Sequence, residues 1–391
     1  LEDRALMSHM GHHHMLPQPL PSTRNFTETN LVTDSADNAK HGLTGKPVID
    51  PNLVNPWGIA FSTNSPFWVA DNGKGLATLY NGAGTPQSLV VTIPPPGGSQ
   101  PGTTAAPTGT VFNSDTRTTD FKVSANGTSG ASVFIFATED GTISGWNPNV
   151  DPTHAILAVD NSQASYPGGF TGAVYKGLAQ ASVNGASFLY ATNFRSGHVD
   201  VFDSNFNLVD SSKLSPHAFQ DPNIPNDFAP FGIQTINGNL YVTYAKQDAA
   251  HHDDVEGVGN GFVDVYDPNG KLLQRVAAHG MLDSPWGLTV APAGFGQFGG
   301  ALLVGNFGNS HVNAFDLRTG TFLGQLTGKD GNPLVLNGGF VNPSDPTDTK
   351  GLWGITFDNG VPAGKTNALY FTAGINDEAH GLFGRVTPAS M

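Results

Sequence analysis

Six short stretches carry the side chains best able to do chemistry. They are Asp71 and Asn72; Glu139 and Asp140; Asn193 and Arg195; Lys246, Gln247 and Asp248; Asn306; and Asn376, Asp377 and Glu378. Each follows a short apolar run and precedes another, so each reads as a turn between two strands. Amide and carboxylate oxygens gathered from several turns are the donor set of a hard divalent cation. The expected ligands are Glu139, Asn193, Asn306 and Asp377. Calcium or another divalent metal is therefore the expected cofactor, and no organic cofactor is indicated. Asp71, Asn72, Asp140, Gln247, Asp248, Asn376 and Glu378 would line the same pocket. Asp, Asn and Gly also make turns simply by bonding their own backbone. Arg195 and Lys246 would hold a substrate carboxylate or an oxyanion. His198 and His311 open equivalent runs and are the candidate proton-transfer pair. The stretch Asp248-Ala249-Ala250-His251-His252-Asp253-Asp254-Val255-Glu256 concentrates imidazole and carboxylate. Adjacent histidines on an extended chain face opposite ways, so it reads as a hydrated acidic loop or a lid.

These turns need a scaffold that brings them together, and a repeat supplies it. Trp57-Gly58-Ile59-Ala60 is followed by Phe67-Trp68-Val69-Ala70 and then Leu79-Tyr80. Trp286-Gly287-Leu288-Thr289 is followed by Ala301-Leu302-Leu303-Val304 and then Val312-Asn313-Ala314-Phe315. Short strands recurring every ~40–60 residues define a radial repeat. The predicted fold is all-β, a six-bladed β-propeller closed by an N-terminal strand over 29–33. Blades are expected at about 51–95, 117–160, 173–212, 228–277, 284–327 and 350–388, within one domain over 16–391. The second blade lacks an aromatic-glycine start, and its first strand is expected at Thr119-Asp120-Phe121-Lys122-Val123. In an up-and-down blade the inner strand begins on the rim where the second strand ends. Trp57, Phe231, Trp286 and Trp353 would thus sit beneath the polar turns, as the floor of a ligand site or as wedges between blades.

Composition bounds the rest. The 391 residues include 49 Gly and 28 Pro, suited to many tight turns, and carry a formal net charge of −14. That charge argues against nucleic acid as a partner. Cysteine is absent, so disulfides and thiolate metal sites are excluded. No apolar run reaches the length of a membrane-spanning helix, so membrane insertion is not expected. Residues 1–15, with three Met and His12-His13-His14, read as an appended tag. Few lysines and no cysteine suggest a secreted, periplasmic or extracellular protein, with any signal peptide removed. No nucleophile elbow, zinc-protease helix, P-loop or dinucleotide fingerprint occurs.

Several strings are long enough to compare with known families. They include Asn55-Pro56-Trp57-Gly58, Thr138-Glu139-Asp140-Gly141-Thr142-Ile143-Ser144-Gly145-Trp146-Asn147, Leu189-Tyr190-Ala191-Thr192-Asn193-Phe194-Arg195 and Phe371-Thr372-Ala373-Gly374-Ile375-Asn376-Asp377-Glu378. Past about Leu31 the chain resembles an uncharacterised family of exported bacterial proteins, some with a C-terminal PEP-type sorting anchor. Blade by blade it is similar to NHL-like six-bladed propellers. The resemblance implies the fold and export. It implies no activity, and this chain ends at Met391 without the anchor. Two functions follow as expectations. One is a monomeric metal-assisted hydrolase or lyase acting on a small ester, lactone or sugar-like substrate. The other is a non-catalytic glycan- or protein-binding module, or a cell-surface scaffold, using the same rim.

Overall fold

The computed structural model describes residues 25–114, 119–358 and 367–389. Residues 1–15, read from sequence as a tag, lie outside them. Six antiparallel sheets are arranged as blades around one axis. From the axis outward, blade one is Pro56–Ala60, Phe67–Asp71, Leu76–Tyr80 and Pro86–Thr92. Blade four is Phe228–Ile236, Asn239–Lys246, Phe262–Tyr266 and Leu272–Ala278. Blade five is Pro285–Val290, Leu302–Asn306, Val312–Phe315 and Phe322–Gln325. Blade six runs Leu352–Phe357, Leu369–Ile375 and His380–Pro388. Its fourth strand is Phe26–Thr33, paired antiparallel to His380–Pro388, so the start of the described chain closes the ring. Closure removes the free edges an open array would leave.

Six apolar clusters fill the gaps between neighbouring blades. Trp68 and Leu79 meet Phe134 and Trp146 between blades one and two. Val69 and Tyr80 meet Tyr370 and Phe383 between blades six and one. The other four clusters occupy the remaining interfaces. Second strands therefore bury both faces, which is why Phe67–Asp71 and Leu369–Ile375 are buried throughout.

The glycines of the inner strands explain how closely the blades approach. An added Cβ on Gly58 would lie 2.4 Å from the Thr108 carbonyl, on Gly232 2.0 Å from that of Trp286, and on Gly354 2.7 Å from that of Trp57. Gly109, Gly177 and Gly287 face their next blades in the same way. The ring of six contacts closes on itself, so each inner strand is packed backbone to backbone with the next. Thr108 Oγ1 donates to Tyr175 O at 2.7 Å, Thr192 Oγ1 to Phe231 O at 2.7 Å, and Thr372 Oγ1 to Trp57 O at 2.6 Å.

Two blades differ from expectation. The inner strand of blade two is Pro107–Phe112, upstream of the Thr119–Val123 segment assigned from sequence. Its other strands are Phe134–Thr138, Thr142–Trp146 and Ile156–Asp160. Proline is tolerated because it begins the strand, and Gly109 fills the ring position even though Thr108 replaces the aromatic. Lys122–Ala125 instead pairs with Thr128–Ala131 as a separate hairpin, and Phe121 is buried in the interface with blade three. Blade three contains Tyr175–Val183, Ala186–Asn193 and His198–Phe202. Among the described residues it has no full fourth strand; a single bridge, Phe202 to Leu208, stands in that place.

Candidate functional site: a charged hub over an aromatic plug

Each inner strand places the residue before its ring glycine at the same level of the axis. Around the ring these are Trp57, Thr108, Lys176, Phe231, Trp286 and Trp353. Trp57 and Trp353 stack with centroids 3.4 Å apart, and Trp286 meets both edge-on at 6.1 and 5.9 Å. Phe231 and Phe307 pack against Trp353, and Phe194 against Phe231. Together with Val174, Ala229 and Ala245 they form an apolar plug across the axis. The tryptophans are thus mutually packed. Trp353 Nε1 donates to Asn55 Oδ1 at 3.1 Å and Trp286 Nε1 to Lys176 O at 3.0 Å. Trp57 Nε1 is buried and has no protein acceptor among the described residues.

Lys176 is the exception in this ring. Its side chain is only 2% exposed, and its ammonium lies 5.2 Å from the Trp57 ring centroid and 5.8 Å from that of Phe194. Both are cation–π distances. The ammonium donates to Glu139 Oε1 and, at 3.2 Å, to Asp253 Oδ1. Asn72 Nδ2 donates to the other Glu139 oxygen at 2.8 Å, and Asn55 Nδ2 donates to Asn72 at 3.3 Å. Burial alone would drive the ammonium toward neutrality; Glu139 and Asp253 reverse this and hold its pKa above the usual value. His252 bonds Asp253 at 2.8 Å and, with Lys176, holds that carboxyl far below its ordinary range.

Two further carboxyls face this cluster. Burial, reinforced by the Glu139 charge, pushes Glu378 to about 8. Burial pushes Asp254 to about 7, against the opposing pull of the Ser284 side chain beside it. Lys350 bonds Glu256 at 3.1 Å and Asp377 at 2.9 Å, linking blades four and six. The loop holding Glu378 runs through three successive left-handed residues, Asn376, Asp377 and Glu378, at φ 57°, 52° and 63°. Backbone of this kind is costly for residues other than glycine and must be held by its surroundings.

The residues expected from sequence separate into two groups. Asn72, Glu139 and Glu378 belong to the hub, whereas Asp377 pairs with Lys350. The proposed ligand set of Glu139, Asn193, Asn306 and Asp377 does not share one centre. Asn193 is turned into blade three, donating at 3.0 Å to both Asp200 and the Tyr166 hydroxyl. Asn306 donates to Met281 O at 2.8 Å and to Asn309 at 3.1 Å within blade five. Asp71 is buried against Thr78 at 2.7 Å, its carboxyl pushed far up by burial. Asp140 accepts from the Ala106 amide at 2.8 Å. Gln247 donates to Phe194 O at 2.5 Å, and Asp248 caps its own loop by accepting from the His252 amide at 2.8 Å. Arg195 is committed to the Thr171 and Gly172 carbonyls, and Lys246 lies 3.6 Å from Asp227 at the surface. His198 donates to the Ser196 carbonyl at 2.7 Å, while His311, its pKa lowered by burial, lies beside Gln325. The two histidines are held in different blades by different partners and form no pair.

The sequence reading gives Lys176 no role and takes His252, Asp253 and Asp254 as part of a hydrated acidic loop or lid rather than as site residues. A signal for Lys176 was present: a lysine occupies the aromatic position of the repeat. Glu139, His252 and Asp253 are the one group of three potential metal-ligating side chains among the described residues, with donor atoms within 4.8 Å of one another. Lys176 already rests on two of the three.

The fold and hub define a six-bladed β-propeller with an acidic, lysine-centred axial rim. No family model matches the sequence. The chain is 33% identical over 292 residues to the uncharacterised Acanthamoeba polyphaga mimivirus protein L690, covering 74% of this chain and 72% of that protein. It belongs to the same family. Protein R648 of that virus, also uncharacterised, is 29% identical over 359 residues, 91% of this chain and 78% of its own length. Among solved structures, a glucose dehydrogenase superposes with a TM-score of 0.50 at 13% identity, over 93% of this chain and 100% of that one. A streptogramin B lyase structure gives 0.44 at 12% identity, over 95% and 100%. The likeness to the glucose dehydrogenase concerns the propeller fold alone.

Proposed function

We propose that the hub is a cation-binding site, and that a divalent ion such as calcium is its ligand. One observation carries this reading: two carboxylates from different blades, Glu139 and Asp253, share the single Lys176 ammonium, and Glu139, His252 and Asp253 bring donor atoms within 4.8 Å of one another. The group Glu139, His252 and Asp253 is the binding centre, with Glu378 within electrostatic reach. An ion there adds to Lys176 or shifts it toward the Trp57 and Phe194 rings. Asp254, the next residue in the chain after Asp253, is a further carboxyl for it.

In its finer form the proposal is a metal-assisted hydrolase or lyase acting on a small ester, lactone or sugar-like substrate. The ion would polarise a carbonyl, and a carboxyl of the hub would move the proton. The Lys176 ammonium favours a second reading, a binding module whose built-in cation makes the metal unnecessary. Elemental analysis separates the two. The protein with residues 1–15 removed is expected to retain about one equivalent of a divalent metal, and Glu139→Ala and Asp253→Asn to lose it. Metal content near zero, or unchanged in both variants, rejects the metal reading. Export remains part of the proposal, supported by the absence of cysteine; finding the native protein confined to the cytosol would reject it.

A further inference from the structure

The opposite end of the axis holds a cavity of different chemistry. The inner strands end there, and a recess of about 250 Å³ opens between them. None of the described residues lining it carries an ionisable side chain, in a chain whose net charge is −14. Phe61 and Phe112 supply partly exposed aromatic surface, while Thr110, Gln180, Gln234 and Thr356 supply hydroxyl and amide groups. Thr110 is 7% exposed, and its hydroxyl is buried without a hydrogen-bond partner among the described residues. It lines both the recess and the smaller gap of about 30 Å³ at the glycine ring, so it stands where the recess narrows. Gln180 is fixed by bonds to Asn113 at 2.8 Å and to the Ser114 amide at 3.0 Å. Gln234 is exposed, and its side-chain amide has no protein partner among the described residues.

We propose that this recess is a second binding site, separate from the hub, for a small neutral polyhydroxylated molecule of about monosaccharide size. The volume falls just below the ~300–1,000 Å³ of drug-sized pockets. Aromatic rings cover apolar C–H faces of such a ligand, and hydroxyl and amide groups pair with its hydroxyls. A charged ligand would lose its hydration with no counter-ion in the described wall. The aromatic plug separates this site from the charged hub, so the two take ligands independently.

Saturation-transfer NMR on the full chain tests this with glucose, galactose, mannose and myo-inositol, each at about 10 mM, and glucuronate as the charged comparison. At least one neutral probe is expected to show transfer, and glucuronate none. Gln234→Leu removes the exposed amide and Phe61→Ala an aromatic wall of the recess; each is expected to weaken binding about tenfold. Lys271→Gln, on an exposed outer turn of blade four, is expected to leave binding unchanged. Gln234 is exposed, so its variant reports on binding even if Phe61→Ala fails to fold. No transfer to any neutral probe, equal transfer to glucuronate, or wild-type binding by both variants overturns the proposal.

Discussion

Lys176 is the residue on which the hub turns. A buried ammonium is tolerated only with carboxylate and aromatic partners, and here Glu139, Asp253, Trp57 and Phe194 provide them. Removing one member of such a pair strands the other. Lys176→Met is expected to destabilise the fold by about 3–5 kcal/mol, measured by denaturant unfolding. Lys176→Met with Glu139→Gln is expected to recover most of that loss, because the uncompensated charge is gone. A single variant as stable as wild type would show that the pair is not coupled to folding. At this scale the sequence was only partly legible. Glu139 and Asn72 were read correctly as turn residues, but turn chemistry could not say that Asn193 and Asn306 rotate into their own blades. Lys176 is hidden for the opposite reason: it lies on a strand, where the repeat pattern marks packing positions rather than polar ones.

The strands were more legible, because their signal is repetition. The exception is blade two, where Pro107 and Thr108 replace the aromatic start and Gly109 alone preserves the ring contact. The glycine, rather than the aromatic, is what packing demands. Gly232→Ala is accordingly expected to cost more than about 3 kcal/mol in thermal or denaturant unfolding, since its Cβ would meet the Trp286 carbonyl at 2.0 Å. Gly294→Ala, with no atom within 4 Å, is expected to be neutral or stabilising by up to about 1 kcal/mol. Equal effects of the two would refute the tight-ring account. The closing strand carries a titratable group of its own. Glu28 accepts from the Gly338 amide at 3.0 Å, and burial raises its pKa from 4.5 to about 7. Between those values the folded chain binds more protons than the unfolded one, so this group's contribution to stability falls as pH rises and levels off above about 7. Glu28→Gln is expected to raise stability by about 1–2 kcal/mol near pH 8, allowing for solvent screening, and to change little near pH 4. The same gain at both pH values would contradict the assignment.

At the scale of the whole molecule, ring closure is what makes a hub possible. Phe26–Thr33 pairs with His380–Pro388, and only in a closed ring do turns separated by hundreds of residues share one rim. That geometry was readable from the repeat, because strand parity fixes which turns face the same way. The electrostatics of the rim were not, because they depend on which side chains the plug leaves uncovered. Calorimetric titration of calcium into the full chain tests the cation-binding hub most directly. The account predicts a saturable heat near one ion per chain, absent in Glu139→Gln and retained in His311→Ala. No saturable heat, or the same heat in Glu139→Gln as in the unmodified chain, would contradict it.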